Sequence, residues 1–339
     1  MESASNDRDK ILEEYRGYCQ KCPKSYYEYE TAELHFNECE RYEIKKNIGR
    51  GKYSEVFLGI DTQTDELVVV KLLKPVRTAK ITREIRILEV LRGGPYIVEL
   101  LDICLDGMSK TPALVFKHNS PLSLKQLIPE LNDMSARHYL YQVLVALDYS
   151  HSRGIMHRDV KPMNIIVDPE KGDLRLIDWG LSEFYIYGKE YNTRVSSRPY
   201  KSPELLVGYQ LYDFSMDIWS VGCMLGAIMF KKDHLFLGKD NPDQLVKIVS
   251  VLGSEGFFSY VRKYKIDMDP KDISLLKNKQ AIQWKTFVNK SNEEMCPPEA
   301  LDLLNCMLIY DHNLRITARE AMHHPYFAPI RANLGHKNN

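Results

Sequence analysis

Apolar and polar positions change rhythm once along this chain. Between Tyr42 and Phe116 they run as in strands: Val56-Phe57-Leu58-Gly59-Ile60 and Glu66-Leu67-Val68-Val69-Val70-Lys71-Leu72-Leu73 are largely apolar, with a polar turn between them. One helical interval interrupts them. From Thr78, Ile81, Ile85, Leu88 and Leu91 recur every three or four positions, and Gly93-Gly94-Pro95 then stops the helix. Beyond Asn119 the helical period dominates, as from Ala136 to His151. A hinge is therefore expected at residues 117–121. The expected class is α+β, with a small β-rich lobe over residues 42–118 and a larger, mainly α-helical lobe over residues 119–330. Within the larger lobe, Asn164-Ile165-Ile166-Val167 and Asp173-Leu174-Arg175-Leu176-Ile177 predict two short strands around a turn at Glu170-Lys171-Gly172. Residues 1–41 are polar and tyrosine-rich without a sustained period and read as an extended arm. Residues 331–339 read as a frayed tail.

Composition narrows the partners. The 339 residues (39.4 kDa) admit two domains of about 150 residues or one two-lobed enzyme. Forty-six basic residues balance 46 acidic ones, so nothing global favours nucleic acid or an anionic membrane, and neither is an expected partner. The longest apolar stretch, Val221 to Phe230, is too short to span a bilayer. The opening MESASNDRDKILEEYR lacks the pattern of a leader, and seven scattered cysteines suit free thiols, so cytoplasm and nucleus are the expected locations.

The chemistry concentrates in residues 157–180. His157-Arg158-Asp159-Val160-Lys161-Pro162-Met163-Asn164 is followed by Asp178-Trp179-Gly180. One Asp in a polar loop can accept a proton from an attacking hydroxyl, while an Asn and a second Asp offer hard oxygens to Mg²⁺, a pattern that suits phosphoryl transfer. Upstream, Gly49-Arg50-Gly51-Lys52-Tyr53-Ser54-Glu55-Val56 puts two glycines where a backbone could pass close over phosphates, although Ser54 takes the place of a third. Lys71 ends a run of three valines, where an ammonium needs a partner, and Glu84 lies on the next helix, off the apolar row. Arg194, Arg198 and Lys201 cluster within eight residues and want an anion. Cys19, Cys22, His35 and Cys39 have the spacing of a zinc knuckle, which makes a zinc-binding arm a further reading.

The ordered set, continued by Ser202-Pro203-Glu204, Asp217, Trp219 and Arg315, resembles the eukaryotic protein kinases over about residues 40–327. GRGKYSEVF (49–57), VVVK (68–71), REI (83–85), LRGGP (91–95), TPALVF (111–116), GIMHRDVKP (154–162), LRLIDWGL (174–181) and PELLVGYQ (203–210) resemble, more narrowly, the catalytic α subunits of casein kinase II. Trp179 is telling, because most protein kinases have phenylalanine there. The resemblance implies a bilobal protein-kinase fold and a constitutively active Ser/Thr kinase. Such an enzyme moves the γ-phosphoryl of ATP, with GTP as a second donor, onto Ser or Thr followed by acidic residues.

By residue, the resemblance makes Asp159 the base, Lys161 the stabiliser of the transferring phosphate, Lys71 with Glu84 the phosphate-aligning pair, and Asn164 and Asp178 the Mg²⁺ ligands. It gives the turn Gly49, Arg50, Gly51, Lys52, Tyr53, Ser54, Glu55 and Val56 to the nucleotide. Val56, Val69, Phe116, Ile166 and Ile177 would sandwich the base, with His118 just beyond in the hinge. Arg194, Arg198 and Lys201 become an acidic-substrate pocket. The segment Lys24-Ser25-Tyr26-Tyr27-Glu28-Tyr29-Glu30 resembles an arm that docks on residues 181–200 in place of an added phosphate. Ile44, Phe57, Leu72 and Val115 match positions that meet a regulatory β-subunit dimer in a heterotetramer. The chain departs from the family where Thr78, Ala79 and Thr82 replace lysines before Glu84, which weakens a second basic patch, and at Met163, Lys117 and Pro199. A catalytically inactive scaffold that keeps the fold is the alternative class.

Overall fold

The computed structural model describes residues 2–51, 53–75, 77–119 and 122–337. A helix, α1 (Glu2–Lys21), precedes a six-stranded sheet made of β1 (Asn37–Glu38), β2 (Tyr42–Arg50), β3 (Ser54–Asp61), β4 (Glu66–Leu73), β5 (Leu100–Leu105) and β6 (Pro112–Lys117). The spatial order is β1-β5-β6-β4-β3-β2, antiparallel except for the β1–β5 pair. The α-helix of this lobe among the described residues, α2 (Thr78–Val90), buries Ile81, Ile85 and Leu88 on the face their spacing predicts.

Register decides which side chains of β4 reach the cleft. Val56, Lys71 and Leu114 lie opposite one another across three strands, as do Leu58, Val69 and Phe116, and successive residues face opposite sides. Leu73, Leu114 and Phe116 join the main core, whereas Val68, Val70, Cys104, Ala113 and Val115 form a separate apolar cluster on the outer face. Lys71 therefore points inward because its strand alternates.

The second lobe begins with β7 (Leu122–Ser123) and α3 (Leu124–Leu127), and continues through α4 (Asp133–His151), β8 (Ile155–Met156), β9 (Ile165–Asp168), β10 (Asp173–Leu176), β11 (Glu183–Phe184), α5 (Pro203–Leu206) and α6 (Ser215–Met229). Asn132 caps α4 by accepting from the Ser135 amide, and Ser135 returns the bond. Every residue of α6 is buried, so the longest apolar stretch of the sequence is the lobe's central helix. No helix among the described residues is long and apolar enough to cross a membrane. The β9–β10 hairpin pairs Ile165 with Leu176 and Asp168 with Asp173, within a residue of the bounds predicted.

Two expectations at the ends are corrected. The N-terminal stretch is not extended over residues 2–21 but helical, and it buries Leu12, Tyr15 and Cys19 along one face. Tyrosine and cysteine, rather than aliphatic residues, make up most of that face, which hides its period. The stretch from 331 does not fray but stays helical to Lys337, where Arg331 donates to the carbonyls of Met322 (2.5 Å) and His324 (3.0 Å). Asn338 and Asn339 lie outside the described residues.

Candidate active site

The floor of the cleft is built on a strained residue. Arg158 has φ +67°, a left-handed conformation that is costly for a side chain of its kind. Asp217, fully buried on α6, accepts from the backbone amides of His157 (2.9 Å) and Arg158 (2.8 Å) and from His151 Nε2 (3.0 Å). Burial works against the Asp217 carboxylate, but the His151 hydrogen bond and the neighbouring donors outweigh it and hold its pKa below the usual range. Burial also lowers the pKa of His157 and keeps the ring neutral. Neutral His157 then donates from Nε2 to Ile177 O (3.1 Å) and accepts the Asp159 amide at Nδ1 (3.2 Å), which ties the loop to the end of the hairpin.

Asp159 is thereby fixed at both its backbone and its side chain, which is 7% exposed. Its Oδ1 accepts from the amide and the hydroxyl of Ser197, both at 3.0 Å. Its Oδ2 accepts from Lys161 Nζ (2.6 Å) and Asn164 Nδ2 (3.1 Å), and Lys161 also donates to Ser197 Oγ (2.9 Å). Asn164 spends its amide nitrogen on Asp159, which leaves Oδ1 for a cation.

Across the cleft, Lys71 Nζ donates to Glu84 Oε1 (2.7 Å) and Asp178 Oδ1 (3.0 Å). Burial opposes the ammonium, but the two carboxylates overcome it and hold the Lys71 pKa above its ordinary value. Asp178 answers in kind: desolvation raises its pKa, Lys71 lowers it, and the net is a carboxyl below its usual range. Gly180 sits tightly beside it: a Cβ there would lie 3.1 Å from Glu84 Oε2, close enough that the carboxylate would have to shift by a few tenths of an ångström. Trp179 is buried, with Nε1 donating to Leu176 O (3.2 Å) and its ring meeting His157 edge-on at 4.6 Å. Lys71, Asp159 and Asp178 thus converge on one cleft through Glu84, Asn164 and Ser197.

The donors that remain fit a hard divalent cation. Asn164 Oδ1 and the second oxygen of Asp178 are two protein oxygens, the number Mg²⁺ takes when phosphates and water complete its sphere. The roof fits a phosphate. Neither Gly49 nor Gly51 has positive φ, and among the described residues a Cβ would meet Val56 at 3.7 Å or Ser54 at 3.6 Å, ordinary contacts. Neither packing nor handedness requires glycine at the two positions, and a backbone bare of side chains there leaves room for a phosphate to come close. Arg50 pairs with Glu55 (2.9 Å), and Tyr53 is half exposed. Lys52 lies outside the described residues. Val56, Val69 and Phe116 share the cleft face by register, and His118 and Ile166 line a pocket of ≈ 120 Å³ at the hinge. Ile177 packs against the main core at the end of the hairpin.

Residues 178–204 are pinned without any added group. Arg158 donates to Leu181 O (2.7 Å) and Tyr212 Oη (3.0 Å) and lies 3.8 Å from Glu183. Glu183 also accepts from Arg83 (3.1 Å) and Tyr29 (3.2 Å). The rings of Tyr26 and Tyr29 lie against Phe184, and Tyr26 donates to Arg153 O (2.9 Å). From α1, Tyr15 packs on Phe214 and donates to Asp148, while Arg16 holds Asp213 (2.9 Å). Arg315 binds Glu204 with two nitrogens, at 2.8 and 3.0 Å, where both side chains are fully buried.

Of the three clustered cations, Arg194 and Arg198 face outward, Arg198 touching the carbonyls of Gly238 and Lys239. Lys201 does not. It is buried and donates to Val195 O and Thr193 O, and burial lowers its pKa, so it braces the backbone beneath the two arginines. Ser197 was missed by the sequence reading, because a hydroxyl in a loop carries no period or motif. The zinc reading is corrected as well. Cys19 packs under Gly154, 3.7 Å from its carbonyl, and Cys39 packs with Cys104 in the outer cluster; among the described residues no three His, Cys, Asp or Glu side chains are placed to hold a metal. A family model of the protein kinase domain matches residues 42–327.

Proposed function

Because the chain belongs to the protein kinase family, we propose that it is a Ser/Thr kinase of the casein kinase II α type, using MgATP or MgGTP and phosphorylating Ser or Thr followed by acidic residues. One observation carries this reading. The hydroxyl of Ser197 sits 3.0 Å from Asp159 and 2.9 Å from Lys161, so an aliphatic hydroxyl already occupies the place an acceptor would take between base and ammonium. An incoming Ser or Thr displaces that hydroxyl, hands its proton to Asp159, and frees Lys161 to meet the transferring phosphate. Lys71, aimed by Glu84, would align the donor's phosphates, and Asn164 and Asp178 would hold the metal. Bound there, Mg²⁺ would supply positive charge that offsets the charge of the phosphates.

Two further features support the finer reading. Arg158 is satisfied by Glu183, Tyr212 and Leu181 with no phosphate, which favours activity without prior modification. Arg194 and Arg198 stand exposed on the segment before Ser202, with Lys201 bracing its backbone, as a pocket for an acidic residue next to the target. With lysines replaced at Thr78, Ala79 and Thr82, more distant acidic residues matter less. A groove of ≈ 440 Å³ on the outer sheet face, lined by Ile44, Leu72 and Val115, supports docking of a regulatory β-subunit dimer; Phe57 shares that face opposite Val70 but does not line the groove. Peptide phosphorylation tests the reading. Ser and Thr peptides should be turned over and a Tyr peptide should not, with rates highest when Asp directly follows the target. Asp159→Asn should lose about 10²- to 10⁴-fold in kcat. Equal rates for every Asp placement reject the acidic pocket, and wild-type turnover by Asp159→Asn rejects the base.

A further inference from the structure

Two cysteines meet on the face of the small lobe turned away from the cleft. In the parallel β1–β5 pair Asn37 lies opposite Cys104, so two residues further on, at the start of the turn Cys39–Arg41, Cys39 returns to the side that Cys104 occupies. There it packs on the apolar cluster that holds Cys104 with Val68, Val70, Ala113 and Val115. Both cysteines line the outer groove, and their thiols share a hydrogen bond. Their exposure differs: Cys104 is fully buried, whereas Cys39 is partly open to solvent. An open thiol beside a hidden one is the arrangement in which the first meets an oxidant and the second resolves the product.

The groove also discriminates between oxidants. Glu40 and Asp106 line it, and among the described residues no Lys, Arg or His does, so an anionic oxidant is repelled and a small neutral one is admitted. We propose that Cys39 and Cys104 are a modification site for hydrogen peroxide, with Cys39 the thiol attacked and Cys104 the resolving thiol, and that they close into a disulfide clipping the end of the N-terminal arm to β5. In the first step the O–O bond breaks: the Cys39 sulfur takes one oxygen as a sulfenic acid, and the other leaves as water. In the second, the Cys104 sulfur bonds to that of Cys39, and the sulfenic oxygen leaves as a second water with the Cys104 proton. Two thiols are oxidised and one peroxide is reduced, so the step balances without a further reactant. Burial raises the pKa of both thiols, helped by Asp106 at Cys39 and by Asp102 at Cys104, which keeps thiolate scarce and suits a response to sustained exposure. The bond closes a loop of about 65 residues that contains β2, β3, β4 and α2, and so should stabilise the small lobe. Lys71 faces the opposite side of the sheet, away from both sulfurs.

Peptide mapping of the full chain tests this. After treatment with hydrogen peroxide, alkylation and non-reducing digestion, a peptide pair joined through Cys39 and Cys104 should appear, and dithiothreitol should release it. The melting temperature should rise by about 5 °C in the linked form and return on reduction. Cys39→Ser, a change at a partly open position, should leave Cys104 reduced under the same treatment. Cys104→Val, which keeps an apolar side chain in the cluster, should let Cys39 run on to the sulfinic acid, a gain of ~32 Da on its peptide. Exposed Met108 serves as the internal control for oxidant. Both thiols still alkylatable once Met108 is oxidised overturns the proposal, as does Cys39 joined to Cys22 or to a second chain. A linked form that melts no higher than the reduced one overturns it too.

Discussion

The floor and the roof of the cleft are held in opposite ways. On the floor, Asp159 and Asp217 are buried and each accepts three or more hydrogen bonds, and residues 178–204 are fixed by Arg158, Arg83 and the N-terminal tyrosines. On the roof, Tyr53 is half exposed and the turn hangs on Lys74, Glu55 and a ring contact. Groups that must meet developing charge are best prepaid in order, because reorganising them during reaction would cost rate. A lid that admits ligand is drawn from the less stable parts of a fold. Damage to the floor should thus cost turnover and stability together, and damage to the roof should cost affinity alone.

The sharpest test is Asp217→Asn. It removes the charge that accepts two backbone amides, so unfolding free energy should fall by about 3 kcal/mol and turnover by more than about 100-fold, although Asp217 touches no substrate. The pH dependence has a definite sign. A carboxylate whose folded pKa is depressed stabilises fully above its unfolded value, near ~3.9, and loses that contribution as pH falls through the folded value. Denaturant unfolding of the variant should lack that share of the acid-side loss. Wild-type turnover in Asp217→Asn would break the comparison.

Of intermediate size is the pair Tyr26→Ala with Tyr29→Ala. It removes two ring contacts with Phe184 and a hydrogen bond to Glu183, so kcat for peptide should drop about tenfold while the KM for ATP holds. Amide exchange in residues 181–200 should quicken. An unchanged rate would mean that Arg83 and Arg158 suffice to hold the segment. The smallest effect is expected for Gly51→Ala, whose Cβ has room. Its melting temperature should stay within about 2 °C and kcat should hold, but nucleotide affinity should fall about fivefold. A stability loss there would show that the glycine serves packing, and the contrast between the two walls would narrow.

How much of this was legible depended on what each residue had for neighbours in sequence. Lys71, Glu84, Asp159, Asn164 and Asp178 stand in a fixed order along the chain, and the alternation of β4 told which way Lys71 points. The hairpin from Ile165 to Leu176 was readable because β-branched residues flank a glycine turn. Lys201 was not, since nothing local in a loop says whether a lysine meets solvent or its own backbone carbonyls. Ser197 and Glu183 act only through groups brought close by tertiary folding. In α1 the buried stripe of Leu12, Tyr15 and Cys19 is diluted by Arg, Glu and Lys, and the partners of α1 lie far along the chain, from Asp148, Gly154 and Phe214 for the stripe to Asn313, Arg319 and Glu320 for its polar residues.

That distance has a consequence for biosynthesis. Arg8 meets Glu320, Glu14 meets Arg319 and Arg16 meets Asn313, so residues of α1 wait for residues made some 300 positions later. At about 5–20 residues per second the wait is at least about 15 seconds, during which α1 lacks these three contacts. Newly made chains should therefore form the second lobe before these three contacts close, which makes their closure a late step of folding.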